Sequence, residues 1–152
     1  MDQSAGIVAR YSAYLDRYVR VGVVGNRVIA VDFPTERPED ATADHPVLDR
    51  IERYLDGVGD ELGELEVALT VDADSRSVLD TVREIPHGST RDIATVAKLT
   101  PGIDPDDTET VAAALAANPV PLVIPDHRVV DGPSGAPSVV VERLRALEGI
   151  SR

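Results

Sequence analysis

Asp126, His127 and Arg128 stand side by side in the stretch Asn118 to Val130, which reads NPVPLVIPDHRVV. A carboxylate next to an imidazole can supply a nucleophile and a general base. Pro119, Pro121 and Pro125 punctuate the apolar run that leads to them. Proline lacks a backbone donor, so this run is neither helix nor central strand. It reads as extended chain delivering three ionisable side chains to one place. Two readings fit: a polar turn closing a buried loop, or an active-site turn.

The elements that must position this turn follow from hydrophobic periodicity. Residues 7 to 11 (IVARY) and Tyr18 to Val24 read as strands, the second with Val19, Val21 and Val23 on one face. Gly25-Asn26 tolerates positive φ, and Arg27 to Phe33 resumes the β pattern, which together predict a hairpin. The acidic stretch Pro34 to Asp44 is expected as a surface loop. His45-Pro46 opens a helix with Val47, Leu48, Ile51, Tyr54 and Leu55 on one face, ended by Gly57. Glu64 to Val71 (ELEVALTV) alternates and predicts a further strand in a small mixed sheet. From Ser75 the pattern turns helical. Helices are expected over Ser77 to Ile85, Asp92 to Leu99 and Thr108 to Ala117, and another opens at Pro137 and closes at Gly149. The implied class is α/β of the α+β kind, with a sheet domain over residues 1–72 and a helical domain over 73–152.

Composition narrows the chemistry. The chain has 152 residues and no cysteine, which excludes disulfides, thiolate metal sites and a cysteine nucleophile. Asp32, Asp44 and Asp49 are scattered acids rather than a metal set, and no cofactor motif is present. No run of about 18 apolar residues exists, so no membrane span is expected. The start, MDQSAGIVAR, lacks the basic and apolar regions of a secretory signal, which points to the cytoplasm. The formal net charge is -12, from 27 acidic and 15 basic residues, and Lys98 is the only lysine. Such a surface repels DNA phosphates at low ionic strength. At molar salt the Debye length falls to about 3 Å, so an acidic, lysine-poor chain from a halophile can still meet DNA. Mutual repulsion of the acids also predicts that stability rises with salt. Thermal melts at low and molar potassium chloride test this, and equal melting temperatures would refute it.

The run NPVPLVIPDHRVV resembles the signature of the O⁶-alkylguanine-DNA alkyltransferases, NP-x-P-x-x-I-P-C-H-R-V. Every fixed position matches except that Asp126 replaces the cysteine that accepts the alkyl group. The likeness is good from about Ser75 to Gly149 and holds only in outline before that. It implies a ribonuclease-H-like N-terminal sheet domain. It also implies a helical C-terminal domain with a helix-turn-helix-like, winged-helix-like DNA-binding core. In the family a histidine activates the thiolate through a water, and a glutamate holds that histidine. The matching residues are His127 and Glu148, and Asn118 matches the asparagine that braces the turn. Pro125 and Ser134 fall on the implied pocket. A buried His–Glu pair kept for packing is an equal alternative for the first two.

The positions assigned by the resemblance to DNA contact are Ile93, Glu109 and Arg128. IPHGSTRDIATVAKL is similar to the family's IPYGETRTYGEIAKRL, with Ile93 in place of the tyrosine that helps rotate the target nucleotide. Isoleucine suits a helix core instead. Glu109 stands where the family carries the arginine that fills the gap left by the flipped base, and it reverses that charge. An acid there also suits the helix N-terminus. The family's YSGG pocket wall becomes SGAP over Ser134 to Pro137, without its aromatic.

Two functions follow as expectations. The first is an alkyltransferase-like DNA-repair protein, monomeric and without alkyl transfer, whose partners are DNA containing alkylated guanine and other repair proteins. The second is a non-enzymatic interaction or structural protein that no longer binds DNA. A chemical Asp126 would instead attack the alkyl carbon and form an ester, and His127 would then serve as base for its hydrolysis. The plainer role for Asp126 is to accept hydrogen bonds from backbone amides or to pair with an arginine.

Overall fold

The structure is a computed structural model that describes residues 5–39, 41–58 and 62–150. Strands β1 (Ala5–Ser12), β2 (Arg17–Val24) and β3 (Arg27–Asp32) form an antiparallel sheet in chain order. Val8 pairs with Val21 and Val21 with Val31, so one valine face runs across all three strands. Val19, Val21 and Val23 point into the core, as the alternation requires. The β2–β3 turn falls on Gly25 with φ 59, the conformation a tight hairpin needs.

Helix α1 (Pro46–Leu55) packs on this sheet through Val47, Leu48, Ile51, Tyr54 and Leu55, all buried. The imidazole of His45 caps it, accepting from the Val47 amide at 3.1 Å. The strand expected over Glu64 to Val71 is not formed, and the sheet is antiparallel rather than mixed. Leu62–Glu64 is a 3₁₀ turn, and only Val67 makes an isolated parallel bridge, to Val28. Two backbone bonds hold it there, Val28 N–H to Glu66 O and Ala68 N–H to Val28 O. The alternation was real, since Leu65, Val67 and Leu69 pack partly buried on the core. A single bridge on β3 does not extend into a ladder.

Three helices follow: α2 (Ala73–Arg83), α3 (Ile93–Leu99) and α4 (Thr108–Ala116). Each is capped by an aspartate just before it. Asp72, Asp92 and Asp107 accept from Ser75, Thr95 and Thr110 at 2.8, 2.8 and 3.0 Å. The Asp72 cap starts α2 earlier than its apolar spacing suggests, and the helix ends two residues short of Ile85. Helix α5 (Ser138–Leu147) closes the described chain, followed by Gly149 at φ 77. Val78, Leu79 and Val82 of α2 meet Val96 and Ala97 of α3 and Val111 and Leu115 of α4 in one core continuous with the sheet's valines. Among the described residues no helix is long and apolar enough to cross a membrane.

Candidate functional site

The turn begins where α4 ends. Asn118 is 3% exposed and uses all its side-chain groups. Its Oδ1 accepts from the Val120 amide at 3.0 Å, and its Nδ2 donates to Ile124 O at 3.1 Å and to Asp126 Oδ2 at 3.0 Å. These bonds grip the chain on both sides of Leu122, which sits at φ 81. That conformation costs a non-glycine residue on the order of 1–3 kcal/mol, so the turn must be held, not merely allowed. Val31 N–H adds a bond to Pro119 O at 2.9 Å and ties β3 to the same loop. Pro125 then leads into a 3₁₀ turn, Asp126–Arg128, in which all three ionisable residues are buried.

Asp126 is 1% exposed, and both its oxygens are occupied. Oδ1 accepts from the Ser134 hydroxyl at 2.6 Å, and Oδ2 accepts from Gly135 N–H at 2.8 Å as well as from Asn118. Burial raises its carboxyl above the ordinary aspartate range and outweighs the three donors, which act to lower it. Of the two roles read from the sequence, the geometry is that of the hydrogen-bond acceptor. Gly135 is needed where it stands: a Cβ there would lie 2.3 Å from Asn118 O. The segment around Ser134 and Gly135 is therefore closed down on the turn.

On the other side of the turn lies a second carboxylate. Glu148, just beyond α5, accepts from His127 Nε2 at 2.7 Å and from Arg128 Nε and Nη2 at 2.8 and 2.9 Å. It also accepts from Gly88 N–H at 2.9 Å and from the Tyr54 hydroxyl. Burial alone would raise this carboxyl, but the bonds from His127 and Arg128 prevail and hold it well below the usual range. Because Nε2 of His127 faces a carboxylate, it carries a proton, so Nδ1 is the nitrogen whose lone pair the neutral tautomer would present. That Nδ1 is buried and without a protein partner among the described residues. His127 thus has the orientation of a base, while its neighbour Asp126 has no free oxygen.

Arg128, offered from sequence as a DNA contact, is 4% exposed; besides Glu148 it reaches Ile85 O at 2.7 Å. Its charge faces the interior, so it is a buried ion-pair partner rather than a phosphate ligand. Ile93 is half-buried at the start of α3, its amide bonded to Asp131 Oδ1 at 2.8 Å. Glu109 is exposed in the first turn of α4, behind its Asp107 cap. The structure thus gathers Asn118, Pro125, Asp126, His127, Arg128, Ser134 and Glu148, and leaves Ile93 and Glu109 outside that cluster's hydrogen bonds. Among the described residues no group of three or more His, Asp or Glu is placed to hold a metal.

Three contributors escaped the sequence reading. Tyr54 was assigned to the core face of α1, yet its hydroxyl reaches Glu148. A tyrosine on a buried face needs a polar partner, and that requirement was the available hint. Gly88, at φ 80, and Arg145 left no such hint. Arg145 donates to His127 O at 2.8 Å and Val129 O at 3.1 Å and fastens α5 to the turn.

Comparison with known proteins gives this geometry its context. Residues 74–144 match the family model described as 6-O-methylguanine DNA methyltransferase, DNA binding domain. A methylated-DNA–protein-cysteine methyltransferase from Methanothermobacter thermautotrophicus is 39% identical over 112 residues, covering 69% of this chain and 61% of that protein. Proteins of the same name from Methanopyrus kandleri and Archaeoglobus fulgidus are 35% and 32% identical, with 68% and 73% of their lengths matched. In fold, a variant of the Mycobacterium tuberculosis O6-methylguanine methyltransferase superposes with a TM-score of 0.72 at 20% identity, over 96% of this chain and 92% of that one. The Pyrococcus kodakaraensis O6-methylguanine-DNA methyltransferase superposes with a TM-score of 0.62 at 21% identity, over 97% and 100%. The three-stranded sheet and helical C-terminal part are those of this fold. The chain belongs to the O6-alkylguanine-DNA alkyltransferase family, as a member with no cysteine to accept an alkyl group.

Proposed function

We propose that this protein is a non-enzymatic alkyltransferase-like factor that binds DNA through the α3–α4 region and recognises alkylated guanine without removing the alkyl group. The observation that carries this reading is the state of Asp126: it occupies the nucleophile's position, buried, with both oxygens bonded to Asn118, Ser134 and Gly135. Three donors take most of this carboxylate's acceptor sites, and at 1% exposure it presents no open oxygen to an incoming alkyl carbon. This disfavours the ester-forming turnover that an accessible carboxylate supports. The scaffold around it, Asn118, His127, Arg128 and Glu148, is complete. Support for DNA as the partner comes from the matched DNA-binding domain and from a Mycobacterium tuberculosis relative of the same fold whose structure is in complex with DNA.

A second reading, a protein-interaction role without DNA, is favoured by one observation. Glu109 and the α4 cap Asp107 follow Asp104 and Asp106 on an exposed loop, where phosphates would approach. One experiment separates the two. Binding to methylated and plain duplexes is measured at low and molar potassium chloride, and the protein is then weighed by mass spectrometry. The repair reading expects tighter binding to the methylated duplex and no methyl on the protein. Absent binding at every salt concentration leaves the interaction reading, equal binding to the two duplexes removes the recognition of alkylated guanine, and a methylated Asp126 peptide would overturn both.

A further inference from the structure

A cavity of about 280 Å³ lies between the β1–β2 hairpin and α1, in the part of the chain that the function above does not use. Its floor is apolar: Val19, Leu48, Ile51 and Leu55 line it and are buried. Tyr11 and Tyr14 also line it and are 50% and 36% exposed. These are two of only four tyrosines in a chain with no tryptophan. Both rings are tethered. The Tyr11 hydroxyl donates to Asp16 at 2.7 Å, and Tyr11 meets the edge of Tyr18 at 5.4 Å between centroids. The Tyr14 hydroxyl donates to Arg143 O at 2.6 Å. Such walls need little ordering when a ligand arrives.

The rim is acidic. Glu52 and Asp56 line the cavity, and Asp49 and Asp16 stand beside it. Among the described residues two cations stand at this rim, both engaged: Arg10 by Asp49 at 3.1 Å, Glu52 at 2.6 Å and Ala43 O at 2.6 Å, and Arg143 by Tyr14 O. The Asp56 carboxylate has no partner among the described residues.

We propose that this cavity docks a lysine or arginine side chain from a basic segment of a partner protein. The methylene stem fits the aliphatic floor, and the cationic head fits the tyrosine faces and the carboxylates. Other ligand classes fit less well. The acidic rim repels a phosphate or carboxylate. A purely apolar side chain would strip water from Glu52 and Asp56 and give nothing back. The volume is at or below the small end of ordinary ligand pockets, about 300–1,000 Å³, and suits one side chain rather than a cofactor. The protein's net charge of -12 draws a basic segment toward it.

The test uses the full chain and an arginine- and glycine-rich peptide, followed by amide NMR and calorimetry. The expected result is saturable binding with shifts confined to residues 11–14 and α1. Binding should be lost when citrulline replaces arginine. Asp56→Asn and Tyr14→Leu should each weaken it about three- to thirtyfold. Ala13→Trp, which fills the mouth without removing a charge, should abolish it. Asp56 is exposed at the end of α1, so its neutral isostere keeps the test decisive if Tyr14→Leu loses the fold. Absence of binding, undiminished binding to Asp56→Asn and Ala13→Trp, or shifts that move to the Asp104–Glu109 loop would overturn the proposal.

Discussion

Replacing Glu148 by alanine lowers the unfolding free energy by about 3–5 kcal/mol, the cost typical of removing one partner from a buried ion pair. Arg128 is nearly inaccessible, and its Nε and Nη2 would both lose the carboxylate they donate to. His127, Tyr54 and Gly88 would each lose an acceptor in the same step. Urea denaturation at neutral pH reads the change; a loss under about 1 kcal/mol, the worth of an exposed pair, would contradict the hub role. Acid titration adds a sign. Glu148 is depressed in the folded state, so its contribution is fully present above the unfolded value of about 4.3 and is lost as pH falls below it. Glu148→Gln should therefore lose less stability on acidification than the wild type does.

Asp126→Ala is expected to cost about 2–4 kcal/mol: the Gly135 N–H loses its acceptor at roughly 1–3 kcal/mol, and the Asn118 amide, which keeps Ile124 O, loses one of its two bonds at about 1 kcal/mol. The Ser134 hydroxyl can rotate to another partner, so it adds little. At roughly 2–4 °C per kcal/mol for a chain of this size, the melting temperature should drop by about 5–15 °C. Asp126→Asn keeps one acceptor and should cost less. Its pH dependence runs opposite to that of Glu148. Burial raises the Asp126 carboxyl in the folded state, so its favourable contribution is full below the unfolded value of about 3.9 and is lost as pH rises through the folded one. The wild type should thus gain on Asp126→Asn as pH falls. Parallel melting curves for the two proteins across pH would show that the carboxylate carries no such burial cost.

Most of the fold was legible because each element announced itself locally. Valine alternation marked β2, and i,i+3 and i,i+4 spacing marked the helices. The misread segment, Glu64 to Val71, shows the limit. Alternation reports a half-buried face, and a chain can bury that face while making one bridge instead of a ladder. The candidate site was legible where its members are neighbours. Asp126, His127 and Arg128 stood out as a cluster, but nothing in their spacing revealed that Arg128 points inward. Glu148 lies 21 residues from His127, and only the family resemblance paired them. Tyr54 lies 94 residues from Glu148, a separation at which no local pattern carries information. Gly135 was visible only as part of an altered wall. Its role depends on the 2.3 Å approach to Asn118 O, which only three-dimensional placement reveals.

The bond between Tyr54 and Glu148 has a consequence for how the molecule comes apart. Tyr54 belongs to the helix that covers the sheet, and Glu148 to the end of the last helix; the Val31–Pro119 bond crosses between the same two regions. Opening the sheet part alone would strip a donor from the ion-pair hub and an acceptor from β3, while both remained largely dehydrated. Partial unfolding is penalised from either side, so the two regions exchange, melt and refold as one cooperative unit. A break in the chain near residue 72 would then yield not two smaller folded pieces but two fragments that fold only on finding each other.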